Sequence, residues 1–429
     1  MKVLIGQTLT FAGFTALPLS IVGHKGEVVL LAGVALVLLY AAIRDGQWLA
    51  ILRQRFGWLL FAVVAYGLAT SPWAVVPEDA WRLAGSLFGL FLATAVVIAA
   101  AGRMDDPMRK GFAATAGAGF AFGSLLLLVE FFGGMPITYF VLYQGGKGPV
   151  LDPNLLNPAL SVLAIIVWPF AAAAQRFLSV IALMVATLIV LSGEMVTAQI
   201  AIAVAAVVWI LTQAFGRYLV KLLGTLAVLF IVSAPFLIQL PLVEEWRPRI
   251  DAMEWTSVPH RVCIWEFVSA RILEKPLLGW GLDSSRSIPG GEVDCIEDGP
   301  SIALHPHNVA LQVWLELGLF GAFALAALVA MAFRVVATLP PGMPIAGGAA
   351  ALVAALTTAA LSYGIWQNWW VAVLALMAMT VRSALPVPAP PPQKKKPAPK
   401  GAQQKSAPAA GQPLAKIPTA QVPATLAKK

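Results

Sequence analysis

The sequence predicts an all-α polytopic membrane protein with about twelve spanning helices, and three observations predict it. Of 429 residues, 59% are hydrophobic and only 12% charged, with a mean hydropathy of +0.81, whereas a soluble chain usually carries about 25% charge. The apolar residues gather in nearly charge-free runs, as at 28–43, 85–101 and 177–192. Each run can cross a hydrocarbon core of roughly 30 Å as a helix, with tilt or local thinning where it is short. Basic residues also collect in every second turn between runs, as the positive-inside tendency requires.

Breaks at charge and at Pro/Gly clusters set the spans near 4–22, 27–43, 57–73, 84–101, 112–132, 155–173, 177–192, 197–215, 219–240, 307–333, 344–364 and 366–381. The first follows Lys2 and superficially resembles a secretory signal. No convincing small-x-small cleavage site follows it, so it counts as a span. With the N-terminus cytoplasmic, the second turn carries Arg44, Arg53 and Arg55, the fourth Arg103, Arg109 and Lys110, and the sixth Arg176. The eighth carries Arg217 and Lys221, the tenth Arg334, and the last span ends inside at Arg382. Residues 385–429 are Pro, Ala, Lys and Gln with almost no large apolar side chains. They cannot bury a core and read as a disordered, solvated cytoplasmic tail behind a spanning domain at 1–384. Arg382 and the tail lysines supply 9 of the 29 basic residues. The net charge of +8 is therefore mostly a topology signal, and no nucleic-acid partner is expected.

This orientation leaves one long extracytoplasmic loop, 241–306, and a shorter one, 133–154. Within the long loop, Val262, Trp265, Val268 and Ile272 recur at helical spacing, which predicts a re-entrant or interfacial helix over 260–274. The chain's two cysteines, Cys263 and Cys295, both fall here. They pair if the loop faces an oxidising compartment; otherwise Cys263 is a buried thiol in that helix.

Basic residues on the outer face run against the positive-inside tendency and ask for a reason. Arg271 and Lys275 flank Glu274 and read as solvated pairs. Arg261 and Arg286 lie beside aromatic or Gly-rich sequence near the expected bilayer surface, where a guanidinium suits bidentate recognition of a diphosphate. His307 opens the tenth span in HPHNVALQVWLELGLFG, 305–321. An imidazole there can take a proton near neutral pH, or it can simply anchor a helix start. His305 shares that ambiguity, with Pro306 between the two setting the start of the helix. Asn308, Gln312 and Glu316 recur every four residues as a polar stripe that should face protein or water. Glu316, roughly 13 Å below His307 at 1.5 Å per residue, reads as structural. Gly318 and Gly321 read as a close-packing site for a neighbouring helix. There is no His-Glu-x-x-His or Asp-x-Asp spacing, no P-loop and no dinucleotide Gly-rich turn, so no metal or other cofactor is expected.

The stretch HRVCIWEFVSARILEKPLLGWGLDSSR, 260–286, followed by the histidine stretch, resembles the signature region of the O-antigen ligase and polymerase family of bacterial envelopes. His307, Asn308, Gly318 and Gly321 fit its pattern of His, then Asn, Ser or Gln, then nine residues, then Gly-x-x-Gly. LNPALSVLAIIVWP, 156–169, and YGIWQNWW, 363–370, agree further. The resemblance implies a GT-C-like membrane fold in the bacterial inner membrane with a periplasmic active site. It puts the general base on His307 and a diphosphate ligand on Arg261; Arg286 is a further candidate diphosphate ligand, and Asn308, His305 and Trp265 are expected to support them. Relatives often carry a further basic residue near the start of the sixth span or the end of the seventh, where this chain has Pro158 and the 192–194 turn. Lys147 or Arg82 would have to substitute.

The implied reaction moves a glycan, with inversion, from undecaprenyl diphosphate to a sugar hydroxyl of lipid A–core. A polymerase that joins repeat units on the same carrier needs the same residues; the single long loop late in the chain leans towards the ligase. A secondary transporter also has twelve spans, but it predicts an internal repeat and midplane charges. No convincing repeat is visible, and the basic residues gather at one surface.

Overall fold

The computed structural model describes residues 1–143, 151–253, 257–296, 299–302 and 304–386. The chain divides into a helical body, Met1–Pro388, and a C-terminal unit, Ala389–Lys429, which lies outside the described residues.

Without water in a bilayer core, each backbone N–H and C=O must be satisfied within its own segment, so apolar runs become helices. In order they are α1 (Lys2–Gly23), α2 (Gly26–Arg44), α3 (Leu49–Leu52), α4 (Arg55–Ala69), α5 (Pro77–Ala101), α6 (Asp106–Gly133), α7 (Pro136–Leu142), α8 (Asn157–Ala173), α9 (Arg176–Ser192), α10 (Val196–Phe215) and α11 (Arg217–Leu237). The long loop contributes α12 (Pro241–Asp251), α13 (Val258–Glu274) and a minimal antiparallel pair, β1 (Asp294–Ile296) with β2 (Gly299–Pro300). Then follow α14 (Val309–Ala337), α15 (Met343–Leu361) and α16 (Asn368–Ala384). Ten of the helical segments are long and apolar enough to cross a membrane. The seventh and twelfth expected spans are α9 and α16, each only 17 residues, or about 25 Å at 1.5 Å per residue.

Between helices in lipid the hydrophobic effect offers little, and small residues let backbones approach so that dispersion can act. At Gly119 of α6 a side chain would run into the backbone of Phe14 on α1. Helix α8 is central, with every residue from Pro158 to Ala171 buried. The outer surface presents Leu36, Phe132, Phe177 and Tyr218, all exposed, as a lipid-facing wall would. At the ends of α5, α6 and α16, the buried Arg109 donates to the carbonyls of Arg382, Leu385 and Ala101, capping helix C-termini that otherwise have no donor. Leu385, where composition places the start of the tail, is itself fully buried.

Two expectations about α14 need correction. His307 does not open the helix: Asn308 is the N-cap, its Oδ1 accepting from the N–H groups of Ala310 and Leu311 at 3.0 and 3.2 Å. His307 sits just before it at φ 52°. Nor does Gly318 make room for a neighbouring helix. It breaks α14 at φ 59°, ψ −154°, and the turn segment 276–281 docks onto the opened backbone. Trp280 N donates to Leu315 O at 2.8 Å, Gly281 N to Glu316 O at 2.9 Å, and Leu319 N to Pro276 O at 2.9 Å. A side chain at Gly318 would strike the carbonyl of Leu277. The kink frees carbonyls that the loop then satisfies, as irregular backbone inside a membrane protein requires.

Candidate functional site

The site forms where α13, the segment before α14 and the turn between α15 and α16 meet. Trp265 on α13 donates its indole N–H to Pro306 O at 2.8 Å, which ties the helix carrying Arg261 to the His-Pro-His segment. One turn earlier, His260 Nε2 meets Pro300 O at 2.9 Å. Arg247 of α12 bonds Asp251 at 2.9 Å and also Glu266 on α13, so α12 braces the outer face of α13. Cys263 is in disulfide form; the side chain of Cys295 lies outside the described residues.

His307 Nδ1 lies 2.6 Å from Ser362 O. A carbonyl can only accept, so the proton sits on Nδ1 and Nε2 keeps its lone pair. Burial lowers the pKa of the ring, with the charges of Arg261 and His260 adding to the effect and the Ser362 bond opposing it. The resting imidazole is therefore neutral. Arg261 is half-buried, burial draws its pKa down, and among the described residues it has no carboxylate partner. An unpaired guanidinium in such a place costs desolvation that an anion would offset.

His305 packs edge-on against His307, with ring centroids 4.4 Å apart, and its Nδ1 accepts from His307 N at 3.2 Å. Burial, with His307 and Arg286 adding to it, pushes the His305 pKa down to about 3. The amide of Gln367 reaches its Nε2 at 3.4 Å.

The polar stripe of α14 holds the turn that holds His307. Gln312 Oε1 accepts from Ile365 N at 2.9 Å, and Glu316 Oε2 accepts from Trp366 Nε1 at 2.7 Å and from Asp283 N at 2.7 Å. Gln312 Nε2 donates to Glu316 Oε1 at 3.1 Å. Glu316 is fully buried, so each bond acts in a low dielectric. The carboxylate thus joins two loops from distant parts of the chain, 283 and 366, to one helix.

The remaining expected ligands sit further out. Arg286 is half-exposed and paired with Asp283 at 3.0 Å; its charge is felt by His305. Burial raises the Asp283 pKa, opposed by Arg286 and reinforced by Asp79. Arg82 is 80% exposed and pairs with Asp79 at 3.4 Å, so it stands at the rim. Arg271 pairs with Glu274 at 2.8 Å, as adjacent solvated charges should. Lys147 lies outside the described residues. His260, Asp283, Ser362 and Gln367 take part although the sequence did not mark them. Ser362 could not have been found, since it acts through its backbone carbonyl.

Fold and site together define a polytopic all-α membrane protein with a half-buried histidine and an unpaired arginine at one end of its helical body. Residues 179–326, from α9 through the kink of α14, match the family model described as O-antigen ligase. A protein of Rickettsia conorii named "Putative polysaccharide ligase" is 37% identical over 134 residues, covering 29% of this chain and 33% of that protein. Proteins of the same description from Rickettsia felis and Rickettsia typhi are 34% and 33% identical over 134 residues, with the same coverage. The chain thus spans about a third of the length of these relatives.

Proposed function

We propose that the protein is an O-antigen ligase-type, inverting glycosyltransferase that moves a glycan from undecaprenyl diphosphate to a sugar hydroxyl of lipid A–core at the periplasmic face of the bacterial inner membrane. The observation that carries this reading is the pairing of a neutral His307, with Nε2 free, and a half-buried Arg261 without a carboxylate partner. His307 Nε2 takes the proton of the acceptor hydroxyl as its oxygen bonds to the anomeric carbon. The bond from that carbon to the diphosphate oxygen breaks on the opposite side, and the electron pair leaves on undecaprenyl diphosphate. Arg261 meets the growing charge with a bidentate fork, and Arg286 adds a longer-range contribution. Holding both lipids in one membrane face supplies proximity. The scheme needs no metal, and among the described residues no group of three His, Cys, Asp or Glu side chains is set to hold one.

The test is glycan transfer by purified protein in lipid, with undecaprenyl-diphosphate-linked glycan and lipid A–core supplied. Ligated product should form in the presence of chelator and fall about 10²–10⁴-fold with His307→Ala, with Arg261→Lys restoring little of the activity lost in Arg261→Ala. Chain extension on the carrier alone would assign the protein to the polymerases instead, and full activity of His307→Ala would remove the base from the scheme.

A further inference from the structure

A cleft of about 820 Å³ runs through the helical body between α4, α5, α11, α14, α15 and α16. At the site end its wall includes Val309, Val313 and Trp366; at the far end it includes Arg55, Arg103 and Arg382. Among the described residues these arginines are the only charged ones in its lining. They converge because α4 begins where α5 and α16 end, so Arg55, Arg103 and Arg382 stand at one level of the bundle. Asp45 neutralises Arg103 at 3.1 Å. Among the described residues neither Arg55 nor Arg382 has a carboxylate partner. The guanidinium of Arg382 lies close over Gly102, where a Cβ would stand 2.9 Å from Nη2. Two uncompensated positive charges thus stand at the end of an apolar slot, and the exposure of Phe230 and Val335 in its wall opens that slot to the lipid phase.

Basic helix ends at a membrane surface commonly serve topology and meet head groups only transiently. Here they line the same cavity as the hydrocarbon-like wall, so charge and apolar surface can be satisfied by a single molecule. We propose that the far end of the cleft binds an anionic glycerophospholipid, its phosphate against Arg55 and Arg382 and its acyl chains in the slot. A polyprenyl chain does not fit this end, because it carries only hydrocarbon there while its diphosphate belongs with Arg261 at the other end. The exclusion of a polyprenyl chain rests on the function proposed above, whereas the two arginines and the apolar wall at this end do not depend on it.

The experiment uses the full chain purified in detergent and stripped of lipid, with equilibrium binding of phosphatidylglycerol, phosphatidylcholine and undecaprenyl phosphate measured separately and in competition. Phosphatidylglycerol should bind in preference to phosphatidylcholine, weaken with added salt, and lose roughly thirtyfold in affinity in the double variant Arg55→Gln/Arg382→Gln, the order expected for two basic residues at an anionic surface. The double variant Arg55→Lys/Arg382→Lys should retain most of it. Equal binding of the two phospholipids, salt-insensitive binding, or displacement of phosphatidylglycerol mole for mole by undecaprenyl phosphate would overturn the proposal. Head-group preference and salt dependence are read on the wild type, so the outcome stands even if the glutamine variant fails to fold.

Discussion

Glu316 makes no contact with His307, yet its replacement should slow transfer, because the carboxylate fixes the turn whose Ser362 carbonyl holds His307. Replacing Glu316 with Gln keeps one oxygen, which can still accept from Trp366 Nε1 and Asp283 N. It turns an amide NH₂ towards Gln312 Nε2, itself a donor whose own oxygen is committed to Ile365 N. One buried bond is then lost and two donors face each other, a cost of about 1–3 kcal/mol. If that cost is met by displacing the 362–366 turn, the rate falls by roughly 5- to 150-fold. Glu316→Ala strips the acceptor from all three donors and should cost more, in both rate and thermal stability. The assay is transfer kinetics in lipid beside thermal unfolding of the same preparations. A positioning role predicts that kcat falls while KM for donor and acceptor stays near wild type, and that the acid limb of the pH profile moves in Glu316→Gln as the His307–Ser362 bond loosens. A folded Glu316→Gln protein with wild-type kcat and an unmoved pH profile would refute the reasoning.

Two further outcomes follow from the site and the kink. Burial lowers the His307 pKa, so the neutral, proton-accepting form persists below the ordinary imidazole value near 6.5; the acid limb of kcat/KM should lie under pH 6.5, and a limb at or above it would contradict a buried base. His305, held to about 3 in the folded state, binds fewer protons there than when unfolded, so the stability it contributes is present above pH 6.5 and is lost as pH falls from 6.5 towards 3, which thermal melts at pH 7.5 and 5 would detect. Gly318→Ala should destabilise by at least about 1–3 kcal/mol from backbone strain alone, with the added collision at Leu277 O, and should show as reduced accumulation of folded protein; a normal melt would mean that α14 can run straight.

By itself the sequence determined that the chain is a bundle of membrane helices, because in hydrocarbon an apolar run of this length has helix as its one way to satisfy its backbone. It also marked His307, Arg261 and Trp265, from the motif and from helical spacing, as the residues around which the proposed site is built. Where side chains act through local chemistry, as in the Arg271–Glu274 pair, spacing alone placed them correctly. The tertiary structure decided what depends on chain segments far apart. The Gly318 motif, read as packing between helices, is a break that receives segment 276–281, since a φ of 59° and an arriving backbone leave no trace in periodicity. Arg261 comes within electrostatic reach of His307 on the helix that Trp265 ties to Pro306, whereas Arg286, equally plausible on sequence, pairs with Asp283 and is half-exposed. Glu316 was legible as a structural residue, but its partners at 283 and 366 were not. The tautomer of His307 rests on a backbone carbonyl 55 residues away, and a carbonyl is common to every residue, so only folding could select the one at Ser362.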